Sequence, residues 1–121
     1  MDMRLQLVPL PTADVERSKD FYINQVGFDL DHDVEPGNGM RVVQLTPPGS
    51  ACSIVIGVGK GEPDAPRVHN LHLVVDDIEA VHAHLRGKDV DVSDVHDMGG
   101  VQYVFFSDPD GNSWALQQLR R

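Results

Sequence analysis

A repeated hairpin constrains the fold of this chain more than any other feature of its sequence. Residues 101–119 contain two β-favouring runs, 103–106 and 114–119, joined by Asp-Pro-Asp-Gly at 108–111. This tetrapeptide is typical of a type I turn, because Asp accepts hydrogen bonds at the first position, Pro sets φ at the second and Gly suits the fourth. A similar segment, 46–56, lies 61 residues upstream. The chain therefore contains the same element twice.

The segments before each hairpin repeat as well. Each half begins with a predicted strand and a predicted helix, the first helix from the cap Asp14 to Gly27 and the second from the cap Asp77 to Gly87. The remaining predicted strands cover 4–10, 28–34, 40–46, 52–58, 69–75 and 89–96. These repeats predict an α+β fold with two βαβββ modules in a single domain spanning 1–121: module 1 at about 1–58, a Gly/Pro-rich linker at about 59–67 and module 2 at about 68–121.

Composition excludes several classes of function. The 121 residues include 10 Lys or Arg and 19 Asp or Glu, a net charge of −9, and an acidic chain without a basic patch is not expected to bind nucleic acid. No apolar run approaches the ~20 residues that cross a bilayer, so no membrane partner is expected. With no apparent signal peptide and only Cys52, which cannot form an internal disulfide, we expect a cytoplasmic protein.

Alternation along the predicted strands separates two faces. In the strand at 69–75, Leu71 and Leu73 share one face, whereas Asn70 and His72 share the other. In the last strand, Trp114 and Leu116 lie opposite Ser113, Ala115 and Gln117. We expect the apolar sets to pack under the helices. The mixed sets then line an open concavity that a ligand, a partner sheet or both would cover.

Three segments carry a resemblance to a known family. ADVERSKDFYINQVGF at 13–28, VVDDIEAVHAHL at 74–85 and FFSDPDGNSWALQQL at 105–119 resemble the vicinal oxygen chelate superfamily, the glyoxalase, bleomycin-resistance and extradiol dioxygenase group. The resemblance implies two βαβββ sheets that curl into a cup with helices outside, in a bacterial-type protein that forms a homodimer.

The same resemblance implies where a metal would be held. The family's ligand positions fall on Leu7, Ile54, Asn70 and Ala115. Aliphatic side chains have no lone pair for a cation, and a single Asn is a poor ligand. We therefore expect no metal and no other cofactor, and the metal-dependent chemistry of glyoxalases and dioxygenases is not expected.

The predicted cup is better suited to holding an organic molecule than to breaking bonds. Its predicted lining combines aliphatic, amide and aromatic side chains: Leu5, Leu7, Gln44, Ile54, Asn70, His72, Tyr103, Phe105, Ala115 and Gln117. Among the six His residues, only His72 is a catalytic candidate, either as a general base or as a hydrogen-bond donor to a ligand. A structural His is an equally good interpretation.

Three functions follow, in order of preference. The first is a metal-free protein that binds a small organic molecule, akin to the bleomycin-resistance branch, and is not an enzyme. The second is a lyase, isomerase or dioxygenase that holds a divalent metal through relocated ligands such as His72, Gln44 and Gln117. The third is a dimeric interaction module with a vestigial cup.

Overall fold

The computed structural model describes residues 1–57 and 64–119. The chain divides into two compact units, Met1–Pro66 and Arg67–Arg121, and each follows the path βαβββ. The two predicted modules are therefore confirmed. Val58, Gly59 and Gly61, which the sequence assigns to the end of a strand and to the linker, lie outside the described residues.

The first unit is a four-stranded mixed sheet with one helical segment. Its strands are β1 Leu7–Pro9, β2 Asp29–Gly37, β3 Met40–Thr46 and β4 Ser53–Ile56, in the order β1-β4-β3-β2. β1 and β4 are parallel, and the other neighbours are antiparallel. The helix α1, Val15–Asp20, continues as a π-helical segment, Phe21–Val26. It begins at the predicted cap, because the Asp14 carboxylate accepts a hydrogen bond from the Arg17 amide at 3.1 Å.

Ion pairs connect α1 to the first sheet. Lys19 Nζ lies 2.5 Å from Asp33 Oδ2, and Arg41 donates to both Asp33 oxygens at 3.0 and 2.8 Å and also to Glu16. Hydrogen bonds from Arg41 and Lys19 hold the pKa of the Asp33 carboxyl well below its usual range. Asp33 lies opposite Val43 in the β2–β3 ladder, so this pair marks the helix side of the sheet.

The second unit repeats this design. Its strands are β5 Leu71–Val74, β6 His96–Met98, β7 Val101–Ser107 and β8 Ser113–Gln118, in the order β5-β8-β7-β6. The helix α2, Ile78–Gly87, begins where the Asp77 carboxylate accepts from the Ala80 amide at 3.2 Å. Its Ile78 amide donates to Gln118 Oε1 at 2.7 Å, which places Gln118 on the helix side of the sheet. Buried side chains share that side by alternation: Val104, Phe106, Trp114 and Leu116.

The predicted type I turn is present and is held by buried groups. The Gly111 amide donates to the Asp108 carbonyl at 3.0 Å, and the Asp108 carboxylate accepts from the Asp110 and Asn112 amides at 2.9 Å each. The Asn112 side chain is fully buried, donates to Asp108 Oδ2 at 2.8 Å and accepts from the Val68 amide at 3.0 Å. This network ties the turn to the segment that precedes β5.

Three predicted strands differ from the observed ones. The first strand is only Leu7–Pro9, so Leu5 precedes it, and β5 starts after Asn70, whose φ of 59° is incompatible with an extended strand. The predicted strand at 89–96 is wrong except for His96. Asp89, with φ 62°, adopts the left-handed conformation that the sequence predicted for Gly87. The Val90 amide donates a hydrogen bond to the Leu85 carbonyl at 3.0 Å. Within residues 1–57 and 64–119, no helix has the length and apolar character needed to cross a bilayer.

Candidate functional site

The side of the second sheet opposite α2 carries a group of aromatic residues. In the ladder, His72 is paired with Ala115, and Ala115 is paired with Phe105, so the three share one face. Tyr103 is paired with both Gln117 and His96 and lies on the same face. We call these six residues the aromatic face. The predicted cup lining includes five of them and omits His96.

The rings on this face form stacked, edge-on and tilted contacts with one another. Tyr103 and Phe105 are stacked, with centroids 5.8 Å apart and planes at 6°. His72 meets Tyr103 edge-on at 6.4 Å, and His96 lies 6.1 Å from Phe105. Ala115, which contributes only a methyl group, lies between His72 and Phe105 in the ladder. The arrangement offers flat apolar surface with imidazoles at its margins.

A cavity of about 480 Å³ lies at the end of the second sheet where β7 is followed by β8. Residues of both sides of the sheet line it: Phe105 of the aromatic face, Phe106 and Trp114 of the helix side, and the polar residues Asn70, Ser107, Asp108 and Ser113. The lining also includes Asp91, an exposed carboxylate that sequence reasoning did not select. The backbone amide of Asn70 donates to Ser113 Oγ at 2.8 Å, so the residue before β5 is bonded to the first residue of β8 at the cavity wall. Polar groups therefore surround one edge of the aromatic surface.

The corresponding side of the first sheet is polar. Leu7 is paired with Ser53, and Gln44 is paired with both Val55 and His32, so these residues lie opposite α1. Thr46 donates to Asp31 Oδ2, and the hydroxyls of Thr46 and Ser53 lie 2.6 Å apart. Gln44 Nε2 approaches Asp31 Oδ2 at 3.4 Å and Ser53 Oγ at 3.5 Å. We call Gln44, Thr46, Ser53 and Asp31 the polar cluster.

The prediction that Ile54 shares the face of Leu7 requires correction. Ile54 is paired with Val8 and Leu45 on the helix side and is buried. Six residues separate Thr46 from Ser53, whereas five separate Ser107 from Ser113. The 61-residue repeat therefore slips by one after the turn, and a slip of one residue reverses every side chain of a strand. Val55, and not Ile54, is the counterpart of Ala115.

The donor set at the family's metal positions does not fit a metal. With Val55 in place of Ile54, these positions carry Leu7, Val55, Asn70 and Ala115, three of which have no lone pair on the side chain. Across the described ranges, no three His, Cys, Asp or Glu side chains converge on a point where they would hold a metal ion. The expectation of a metal-free protein stays a prediction, and we derive no reaction step through a metal.

The structure locates the remaining predicted residues individually. Leu5 is exposed before β1 and takes no part in a strand. Alternation missed His96 and Asp31, which lie on the side of their sheet opposite the helix, the side that we call the open side. His96 lies there because it is paired with Tyr103, and Asp31 because a β-bulge between Leu30 and His32 shifts the register of β2. A bulge leaves little trace in sequence. His96 was recoverable in principle, since pairing it with Tyr103 requires only a tight Gly99-Gly100 turn.

Comparison with known proteins identifies relatives along nearly the whole chain. The family described as Glyoxalase/Bleomycin resistance protein/Dioxygenase superfamily matches residues 4–116. The crystal structure of TnmS3, an antibiotic binding protein from Streptomyces sp. CB03234, is 34% identical, covers 98% of this chain and 97% of its own, and has a TM-score of 0.82. A superfamily member from Sphaerobacter thermophilus DSM 20745 is 27% identical, covers 98% of both chains and has a TM-score of 0.84.

Curated relatives are longer. CFP32 of Mycobacterium bovis, which carries the provisional name of a glyoxylase, is 29% identical in an alignment of 119 positions that covers 94% of this chain. The chain spans only 45% of the length of that relative. CFP32 of Mycobacterium tuberculosis matches to the same extent.

Proposed function

Because the chain belongs to the glyoxalase/bleomycin resistance protein/dioxygenase superfamily, we propose that it binds a planar aromatic small molecule, without a metal, on the aromatic face of its second unit. The observation that carries this proposal is the stacked pair Tyr103 and Phe105, half-buried on the side of the second sheet opposite α2. Stacked or edge-to-face aromatic contacts contribute about 0.5–1.5 kcal/mol each beyond the burial of apolar area. A flat ligand would gain such contacts with both rings.

The surroundings of the stacked pair support a binding function. The polar lining of the adjoining cavity, including Asn70 and Ser113, would orient a ligand whose apolar body covers Phe105. The similarity to TnmS3, an antibiotic binding protein, is consistent with the same class of function. The residues at the family's metal positions lack suitable donors, which weighs against the lyase and dioxygenase alternatives.

A matched pair of probes tests the proposal. 2-Naphthol and decahydro-2-naphthol share a hydroxyl and a carbon skeleton, but only the first is planar and aromatic. Titration calorimetry should find 2-naphthol bound at least about fivefold more tightly, because two aromatic contacts contribute about 1 kcal/mol at the lower end of their range. Equal affinities, or no binding of either probe, would contradict the proposal.

Metal analysis tests the alternative. Tag-free protein purified without chelators, and then equilibrated with Zn²⁺, Ni²⁺, Fe²⁺ or Mn²⁺, should retain far less than one ion per chain by plasma mass spectrometry. One tightly held ion per chain would favour an enzyme with relocated ligands such as His72 and Gln117, which share the aromatic face. A homodimer and a cytoplasmic location are further proposals, and sedimentation velocity tests the first of them.

A further inference from the structure

His72 is held by a hydrogen bond that determines which of its ring nitrogens carries the proton. Its Nδ1 lies 2.6 Å from the Asn70 carbonyl oxygen. A carbonyl only accepts, so Nδ1 must be the donor. In the neutral imidazole the second nitrogen, Nε2, is then an acceptor with an available lone pair. The sequence alone left open whether His72 would donate to a ligand or accept from it.

The backbone before β5 positions the carbonyl that makes this bond. Asn70 has φ 59°, in the left-handed region that only a few per cent of residues other than Gly occupy. Its amide donates to Ser113 Oγ at 2.8 Å, which anchors this conformation to β8. Backbone strain of this kind persists where the surroundings impose it and is concentrated at functional sites. The unusual turn therefore presents the Asn70 carbonyl to the ring of His72.

His72 is exposed on the aromatic face, and its ring stands edge-on to Tyr103 with the ring centroids 6.4 Å apart. Among residues 1–57 and 64–119, the hydrogen bond of His72 is the one through Nδ1, so Nε2 is left without a donor. In the neutral form of the ring, an oriented acceptor thus lies beside the flat surface of Tyr103 and Phe105.

We infer that His72 selects aromatic ligands that carry a hydroxyl or another hydrogen-bond donor, which it binds through Nε2 while the ring of the ligand contacts Tyr103 and Phe105. The inference rests on the proposed function and specifies the class of ligand. Phenols and naphthols satisfy it, whereas their methyl ethers present the same ring with no donor. His72 is a specificity-determining residue in this scheme and performs no chemistry.

The test compares 2-naphthol with 2-methoxynaphthalene by calorimetry at about pH 8, above the range in which histidine side chains ordinarily titrate. The wild-type protein should bind 2-naphthol about three- to tenfold more tightly, the range of one neutral hydrogen bond. His72→Phe keeps an aromatic ring beside Tyr103 but removes the acceptor, so it should abolish the preference. His84→Phe, on the exposed side of α2, is the matched control and should retain it.

A spectroscopic measurement separates the possible failures. Long-range ¹H–¹⁵N spectra of the labelled protein should show Nδ1 as the protonated nitrogen of His72, and protonation at Nε2 would overturn the inference. Equal binding of both probes would overturn the inference and leave the proposed function intact, whereas absence of binding by either probe would overturn both.

Discussion

The open sides of the two sheets follow the same strand path and carry opposite chemistry. In the first unit, Thr46 donates to Asp31 and lies within hydrogen-bond distance of Ser53, so its polar groups satisfy one another. In the second unit, Tyr103 and Phe105 occupy the corresponding central strand and expose flat apolar surface. Two copies of one strand path can therefore present surfaces of opposite chemistry. A satisfied polar cluster offers little to a ligand, whereas an aromatic surface gains by being covered.

The turns that close the two hairpins also differ, because the turn of the second unit contains the buried Asn112 whereas the turn of the first contains the exposed Ser50. This difference predicts the largest change in stability. Asn112→Ala would remove the side-chain acceptor of the half-buried Val68 amide and one of the hydrogen bonds that the buried Asp108 carboxylate accepts. We expect a loss of about 2–4 kcal/mol in the free energy of unfolding, measured by urea denaturation. Ser50→Ala, at an exposed position of the first turn, is the control and should cost under about 1 kcal/mol. Equal losses would show that the two turns are equally important.

Ligand affinity tests the comparison of the open faces directly. Phe105 and Gln44 occupy equivalent positions, since one is paired with Ala115 and the other with Val55. Phe105→Ala should weaken binding of 2-naphthol about tenfold, because both its apolar area and its stacking contact are lost. Gln44→Ala should change the affinity less than about twofold. A comparable loss in both variants would mean that both open faces contact the ligand.

The ion pairs of the first unit predict a smaller, pH-dependent effect. Since its pKa in the folded protein lies below the unfolded value, Asp33 contributes stability that is present above about pH 4 and is lost as the pH falls towards the folded pKa. Asp33→Asn should therefore lower the free energy of unfolding by about 1–2 kcal/mol at pH 7.

The difference between Asp33→Asn and wild type should shrink as the pH is lowered below about 4. Asp2→Asn removes a carboxylate from an exposed pair with Arg4 at 3.5 Å and is the control, with no measurable effect expected. Denaturation curves between pH 3 and pH 7 make the comparison. A constant difference across that range would contradict the assignment to Asp33.

The helix ends predict the smallest effect. In the first unit the left-handed residue after the helix is Gly27, with φ 101°, whereas in the second unit it is Asp89, with φ 62°. Asp89→Gly removes the cost of a Cβ in this conformation and should raise the free energy of unfolding by about 0.5 kcal/mol. The reverse change, Gly27→Asp, should lower it by about 1 kcal/mol. Thermal denaturation of both variants measures these two changes in stability. A loss of stability in Asp89→Gly would contradict the assignment of a conformational cost to Asp89.

The architecture and part of the aromatic face could be predicted from signals in the sequence. Helix caps at Asp14 and Asp77, the turn at 108–111 and alternation along the last strand are local signals, and each depends on residues within a few positions of one another. Together with the repeat, they were sufficient to predict two βαβββ modules and to group His72, Ala115 and Gln117, whereas the side on which Tyr103 and Phe105 lie required the ladder pairs.

The strand register and the direction of the His72 hydrogen bond could not be predicted without the tertiary contacts. One additional residue in the first turn moved Ile54 to the helix side, because the side-chain period of a strand is two. The left-handed Asn70 placed a carbonyl beside His72 Nδ1 and made Nε2 an acceptor. Both outcomes depend on contacts between strands that are distant in the chain. Local residue preferences carry no information about such contacts until the strands have paired.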